Sequence, residues 1–140
     1  MKLRWGRLLI LIVIIVAFIL TFRSPKNDFN KDNDITALAV AENNIELCNR
    51  VNHPDIKDKC VLDIAINTNN LRACKQLKDE RGENACITGI AEATSNPELC
   101  SQLDNDPFYN DVCFRDAAIA AEEYMYCDRI SNTEDTRKCY

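Results

Sequence analysis

Eight cysteines recur at nearly regular intervals, and this spacing constrains the fold more than any other feature of the chain. Shorter intervals, such as that from Cys48 to Cys60, alternate with slightly longer ones, such as that from Cys60 to Cys74. Regularly spaced thiols behind an apolar N-terminal segment are typical of a disulfide framework, and disulfides persist where cells export their proteins. The spacing therefore predicts a cross-linked domain outside the cytoplasm. The cysteines are Cys48, Cys60, Cys74, Cys86, Cys100, Cys113, Cys127 and Cys139.

The sequence around the cysteines repeats with a period of roughly 26 residues. Each copy has a first cysteine, with an alanine nine residues before it and an aliphatic residue three residues after it. Asparagine lies four residues before the first cysteine in three copies, and Glu123 replaces it in the fourth. This many matched positions indicate four copies of one structural unit. The first cysteines are Cys48, Cys74, Cys100 and Cys127, and the alanines are Ala39, Ala65, Ala91 and Ala118.

The apolar residues that follow the second cysteine of a copy have a helical period, as in Cys60, Val61, Ile64 and Ala65. Such a stripe predicts a helix of about ten residues with the cysteine in its first turns. A second helix of about seven residues follows, and a leading helix covers residues 34–43. The chain has only 3 Gly and 4 Pro, fewer than the turns of a β-sandwich demand. We therefore expect an all-α domain over residues 35–140, a short α-solenoid of about four helical hairpins.

Helix geometry favours one pairing of the cysteines, because a disulfide tolerates a Cα separation of at most about 7 Å. Cys48 and Cys60 flank the loop 52–55 at similar distances and would meet side by side in an antiparallel hairpin. Pairing Cys60 with Cys74 would leave an axial mismatch of about 9 Å, because more helical residues precede that turn than follow it. The predicted bonds are Cys48–Cys60, Cys74–Cys86, Cys100–Cys113 and Cys127–Cys139.

Residues 8–22 form an apolar run in which Thr21 is the only polar residue. As a helix, the run would extend over roughly 22 Å, short of a hydrocarbon core of about 30 Å, and the flanking Trp5 and Arg23 can make up the difference. Signal peptidase needs small residues three and one before its cleavage point, and no good site follows. We expect an uncleaved signal anchor in contact with the lipid bilayer. The alternative is a cleaved signal peptide and a secreted soluble factor.

The charges beside the apolar run predict its orientation. Lys2, Arg4 and Arg7 lie within residues 1–7, and fewer basic residues follow the run, which keeps the N-terminus cytoplasmic. Residues 23–34 are polar and lack a helical period, so they predict a spacer between the membrane and the domain. The expected protein is a single-pass cell-membrane protein with its C-terminal domain outside the cytoplasm.

From residue 27 onward the chain carries 12 basic and 22 acidic side chains, a net charge of −10. Nucleic acid and anionic lipid headgroups are disfavoured as partners, because their binding needs Lys and Arg to replace counterions. We expect the partner to be another exported or membrane protein.

The chain lacks the residue patterns of the common catalytic sites. It has no C-x-x-C pair for zinc or redox chemistry, and its single histidine, His53, leaves nucleophilic catalysis without a base. We expect no cofactor and no catalysis, but an extracytoplasmic repeat module for protein–protein interaction. The alternative is a redox or other enzyme accessory protein of the cell envelope.

Two local patterns are candidate sites. Asp28, Asn30, Asp32 and Asp34 alternate like the first half of a calcium-binding EF-hand loop, although Asn33 and Ala39 replace the expected Gly and Glu. A plain solvated spacer is the competing interpretation. Phe108 and Tyr109 lie in the longest predicted hairpin loop, and Tyr124, Met125 and Tyr126 add to an aromatic C-terminal third. Aromatic anchors are enriched at interface centres, so Phe108 and Tyr109 are the candidate partner contact.

The pattern A-x(4)-N-x(2)-[LA]-C-x(2)-[VLI], followed by a short variable stretch and a second cysteine, covers roughly residues 35–140. It resembles the cysteine-stapled helical hairpin repeats of exported prokaryotic proteins of unknown function. In general architecture it is also similar to Sel1-like and tetratricopeptide α/α arrays, although the period is shorter and their Gly and Tyr signatures are absent. The resemblance implies a solenoid that binds partners, and it assigns no functional residue.

Overall fold

The computed structural model describes residues 12–15, 26–103 and 105–140. The chain divides into two compact units, Met1–Lys31 and Asp32–Tyr140. In the first unit, residues 12–15 are helical with exposed apolar side chains. Among the residues described, every regular element is a helix, which confirms the all-α prediction.

Nine helices follow one another within the described residues after residue 25. The α-helices are α1 (Lys26–Glu42), α2 (Ile45–Cys48), α3 (Pro54–Asn67), α4 (Leu71–Cys74), α5 (Glu80–Ala93), α6 (Pro107–Ala121) and α7 (Thr133–Cys139). The 3₁₀ helices are η1 (Pro97–Leu103) and η2 (Tyr124–Arg129).

Several predicted boundaries differ from the observed ones. The predicted spacer at 23–34 is helical from Lys26 onward, although it lacks an apolar stripe, and it continues into the leading helix. The long helices α3, α5 and α6 have 14, 14 and 15 residues instead of about ten, because Pro54 and Pro107 start α3 and α6 early and Asp79 caps the start of α5. The predicted segments 1–7 and 8–22 lie outside the described residues, apart from 12–15. Within the described part of the chain, no helix combines the length and apolar character needed to cross a membrane.

Four helix ends use the same backbone geometry. At each end a residue adopts a positive φ of 49–57°, and the N–H of the next residue donates to the carbonyl oxygen of the repeated alanine at 2.8–3.0 Å. This arrangement, the Schellman motif, satisfies carbonyl groups that the helix leaves unpaired. The alanine side chains themselves are fully buried, where only a small side chain permits close helix packing. The residues with positive φ are Asn43, Asn69, Ser95 and Glu122.

The repeated asparagine caps the short helix that follows. The side chains of Asn44, Asn70 and Asn96 accept hydrogen bonds at 3.1–3.2 Å from the backbone N–H two residues later. Glu123, which breaks the sequence pattern, makes no side-chain cap bond. The asparagine is therefore repeated because it satisfies a free N–H at a helix start.

The four disulfides join the cysteines that the sequence pairs: Cys48–Cys60, Cys74–Cys86, Cys100–Cys113 and Cys127–Cys139. Their Cα separations are 5.5–5.8 Å, and all eight side chains are at most 1% exposed. The predicted pairing is confirmed. The first three bonds each tie a short helix to the long helix that follows it, and the fourth ties η2 to the seven-residue α7.

Two apolar clusters fill the interior of the second unit. The smaller one includes Ala39, Val61 and Ile64, and the larger one extends from Ala65 to Cys139 around Phe114. Helix α5 packs against both α3 and α6. A Cβ at Gly89 of α5 would lie only 2.6 Å from Ile66 Cδ1 of α3, so glycine permits this close approach.

Candidate interaction surface around Phe108

Phe108 and Tyr109 lie in the first turn of α6 and not in a hairpin loop as predicted. Helix α6 begins earlier than expected because Asp106 and Pro107 form a strong start signal. The Asp106 carboxylate accepts the Tyr109 N–H at 3.3 Å, and Pro107 occupies the first helical position, where its missing N–H costs nothing. The two aromatic rings are therefore held on a helix.

The two aromatic residues have different environments. Phe108 is 68% exposed, whereas Tyr109 is half-buried and packs against the larger apolar cluster. Their rings meet edge to face with centroids 5.3 Å apart, an arrangement that aromatic quadrupoles favour. Tyr109 thus contacts the Phe108 ring, and most of the Phe108 side chain stays open to solvent.

Three shallow grooves lie at or beside Phe108, and we call them together the Phe108 surface. One groove, of about 330 Å³, extends from Phe108 to Asp111 and Asp135. A second, of about 380 Å³, lies between Phe108, Asp106 and Arg81. A third, of about 150 Å³, continues from Asp106 across α5. The residues that define the Phe108 surface are Glu80, Arg81, Glu83, Asp106, Phe108, Tyr109, Asp111 and Asp135.

Negative charge dominates the Phe108 surface. Asp106 accepts hydrogen bonds from neutral groups, the Tyr109 N–H and the Asn84 side-chain amide at 3.1 Å. Glu80 and Glu83 have no ion pair among the described residues. Arg81 is exposed and is the only cation among the described residues that line the grooves.

Asp135 differs from these carboxylates because it forms an ion pair with Arg115. The Arg115 guanidinium bonds Asp116 at 2.7 Å and also pairs with Asp135. These hydrogen bonds, that to Asp116 first, raise the pKa of Arg115. Arg115 therefore stays charged, and it is already paired with two carboxylates of the domain itself.

Asp111 joins α6 to the start of α7. Its buried carboxylate accepts hydrogen bonds from the Ser131 N–H and Oγ, both at 2.8 Å, and from the Asn132 N–H at 2.9 Å. These donors lie beside the N-terminus of α7, where a negative charge is favourable. Asp111 thus fixes one wall of the Phe108 surface.

Asp32 has the equivalent role in the first copy. Its carboxylate accepts the backbone N–H groups of Asn52 and His53 at 3.1 and 2.8 Å. His53 is the residue before α3, and its side chain makes no cap bond there. The Asp32 carboxylate, on helix α1, instead accepts the backbone N–H groups at the start of α3. The sequence interpretation missed this role. A repeated signal existed, because Asp32, Asp58, Asn84 and Asp111 all precede a first cysteine by the same interval.

The calcium hypothesis does not fit this geometry. The four residues lie on helix α1: Asp28, Asn30, Asp32 and Asp34. Residues two apart in a helix are rotated by about 200° around its axis and therefore lie on nearly opposite faces. Asp32 is buried, and its carboxylate bonds backbone N–H groups. An EF-hand needs the same spacing in a loop, whose backbone can turn the oxygens inward. Over residues 12–15, 26–103 and 105–140, no three His, Cys, Asp or Glu side chains form a group that could hold a metal ion.

The aromatic residues of the C-terminal third do not form one patch with Phe108. Tyr124 and Met125 are exposed beyond the last residue of α6, whose 15 residues extend over about 22 Å. Tyr126 instead stacks on Phe114 with ring centroids 6.1 Å apart and donates its hydroxyl hydrogen to Glu98 at 2.6 Å. Phe108 is therefore a separate exposed anchor.

Comparison with known proteins finds no match: no protein-family model, no curated protein and no solved structure is similar to this chain.

Proposed function

We propose that this protein is a membrane-anchored helical repeat module that binds another exported or membrane protein through the Phe108 surface and performs no catalysis. The observation that carries the proposal is the 68% exposed ring of Phe108, held on a helix and supported by Tyr109. An exposed aromatic side chain on a rigid support contributes contact area with little loss of conformational entropy on binding.

The proposed architecture is a short α-solenoid. Three features support it, and each recurs once in every copy of the sequence repeat. They are a helix that ends in a Schellman motif, a short helix that starts three residues before the first cysteine, and a buried disulfide. Repeats stacked in this way present an extended rigid surface to a partner. The disulfides replace the stability that so small a core lacks.

The proposed location is the outer side of a cell membrane, with residues 8–22 as the anchor. Four buried disulfides agree with an oxidising compartment. Protease added to intact spheroplasts should degrade the domain and leave a cytoplasmic marker intact. Intact-mass measurement of the membrane fraction should find Met1 or Lys2 at the N-terminus. A mature protein that begins after residue 22 would instead identify a secreted factor.

Site-specific photocrosslinking in intact cells tests the binding function. A benzophenone amino acid replaces Phe108 in one strain and Met125 in another. Met125 is a matched control because it is 74% exposed but lies beyond the opposite end of α6. We expect a discrete crosslinked species, identified by mass spectrometry as an exported or membrane protein, from position 108 only.

Two outcomes would refute the proposal. Equal crosslinking from both positions would show that capture reflects exposure alone. Absence of any crosslink from position 108, in a strain whose protein keeps its four disulfides on a non-reducing gel, would show that no partner occupies the surface.

A further inference from the structure

We infer that the Phe108 surface binds a basic segment of the partner, with an arginine or lysine of that segment placed over the Phe108 ring. The inference rests on the proposed function, because it names the chemistry of the partner at the same surface. It comes from the combination of an exposed aromatic ring with carboxylates that form no ion pair among the described residues.

The first step concerns charge. Glu80, Glu83, Asp106 and Asp111 carry negative charge without a cationic partner among the described residues. Arg81 is the only cation among the described lining residues that can offset them. The surface is therefore acidic at neutral pH, and the domain around it is acidic as well. Complementary charge draws a basic segment to such a surface and repels an acidic one.

The second step concerns shape. Phe108 lines both the groove that contains Asp111 and the groove that contains Asp106. A side chain that lies over the ring is therefore close to the negative charge of both grooves, although the Asp111 carboxylate itself is already bonded to Ser131 and Asn132. A cation within about 6 Å of an aromatic ring is attracted by the ring quadrupole, and arginine in addition bonds carboxylates through its planar guanidinium.

The domain uses the same chemistry internally. The guanidinium carbon of Arg129 lies 4.6 Å from the centre of the Phe114 ring. Arg115 bonds two carboxylates, Asp116 and Asp135, at once. A partner arginine over Phe108 would combine both contacts at a surface that offers the ring and the carboxylates together.

The test varies charge and keeps the aromatic position as the crosslinker. The full-length protein carries the benzophenone amino acid at position 108 in intact cells. It is combined with Glu80→Gln and Glu83→Gln together, with Arg81→Gln, or with Glu92→Gln. Glu92 is a matched control because it is an exposed glutamate in the last turn of the same helix. Each variant is checked on a non-reducing gel for intact disulfides, and the crosslinked partner peptide is sequenced.

We expect the two glutamine replacements to lower the crosslink yield about three- to tenfold, and Arg81→Gln to raise it about twofold. Glu92→Gln should leave the yield unchanged. The crosslinked partner peptide should contain Lys or Arg beside the attachment point. Opposite signs for Glu80/Glu83 and Arg81 cannot come from misfolding, because misfolding would lower the yield in every case.

The possible failures distinguish this inference from the proposed function. The inference is overturned if the crosslink yield at position 108 is the same in all charge variants, or if the captured peptide lacks Lys and Arg. Either result leaves the binding function in place. Absence of capture at position 108 overturns both.

Discussion

Replacing Asp111 with alanine should destabilise the C-terminal end of the domain strongly. The carboxylate is 5% exposed and accepts three hydrogen bonds, two from Ser131 and one from Asn132. Hydrogen bonds to a charged group contribute about 1.5–3 kcal/mol each. Ser131 and Asn132 are exposed, so water can reach the freed donors, and about 1 kcal/mol for each bond is the better estimate. The free energy of unfolding should therefore fall by about 3 kcal/mol.

Asp58 provides the matched control for this prediction. It occupies the same position of the repeat relative to the first cysteine, but it is half-buried and its side chain makes no hydrogen bond or ion pair within the described part of the chain. Asp58→Ala should change the free energy of unfolding by less than about 0.5 kcal/mol, as at other surface positions. The comparison removes any general effect of losing a carboxylate from an acidic domain.

Urea unfolding of the full-length protein in a non-ionic detergent, with the disulfides intact, measures both variants. With a slope of about 2 kcal/mol per molar urea, Asp111→Ala should lower the midpoint by about 1.5 M. Hydrogen exchange should show faster exchange at the Ser131 and Asn132 amides and little change in α3. Equal losses for the two variants, or a loss below about 1 kcal/mol for Asp111→Ala, would refute the assignment of the stability to these bonds.

Three smaller effects should also be measurable. Asn70→Ala removes a cap bond and should cost about 1 kcal/mol in urea unfolding, whereas Glu123→Ala, at the equivalent position without that bond, should cost almost nothing; equal costs would contradict the capping role. Glu122→Gly should raise the free energy of unfolding by about 0.5–1 kcal/mol, because glycine adopts positive φ without strain, and a lower melting temperature would contradict this. The hydrogen bond to Glu98 raises the pKa of Tyr126. The folded pKa then lies above the unfolded value of about 10, so this stabilising contribution is present below that pH and is lost as the pH rises through the folded pKa. Ultraviolet titration against Tyr126→Phe should find the Tyr126 transition above that of a free tyrosine, and a transition at or below it would contradict the bond.

Features that depend on residues close together in the chain could be predicted from the sequence, and features that depend on distant residues could not. Helix type and disulfide pairing were predictable, because both follow from spacings within about 14 residues of chain. The start of α6 was predictable in principle from Asp106 and Pro107, a recognised start signal. The longer interval from Cys100 to Cys113 instead favours a loop through the aromatic residues. The sequence therefore predicts Phe108 and Tyr109 as a contact on a loop, whereas both lie on α6.

The roles of Asp32 and Asp111 could not be obtained from local patterns. Each carboxylate bonds backbone groups 20 and 21 residues further along the chain. In the sequence, Asp32 belongs to an alternating acidic pattern that indicates calcium, and only the helix packing reveals its actual hydrogen-bond partners. The constant interval before each first cysteine marks these positions as repeated, but the repetition does not say what the side chain contacts.

The sequence by itself determined that the described domain is helical, that the cysteine pattern recurs four times and that each first cysteine bonds the next cysteine along the chain. These properties arise from interactions between residues close in the chain, where spacing sets the distance. Only the tertiary structure decided which face of α6 exposes Phe108, which carboxylates near it form no ion pair among the described residues, and which helix start each buried aspartate stabilises. Those outcomes depend on how separate helices pack, and packing brings together residues whose separation in the chain carries no distance information.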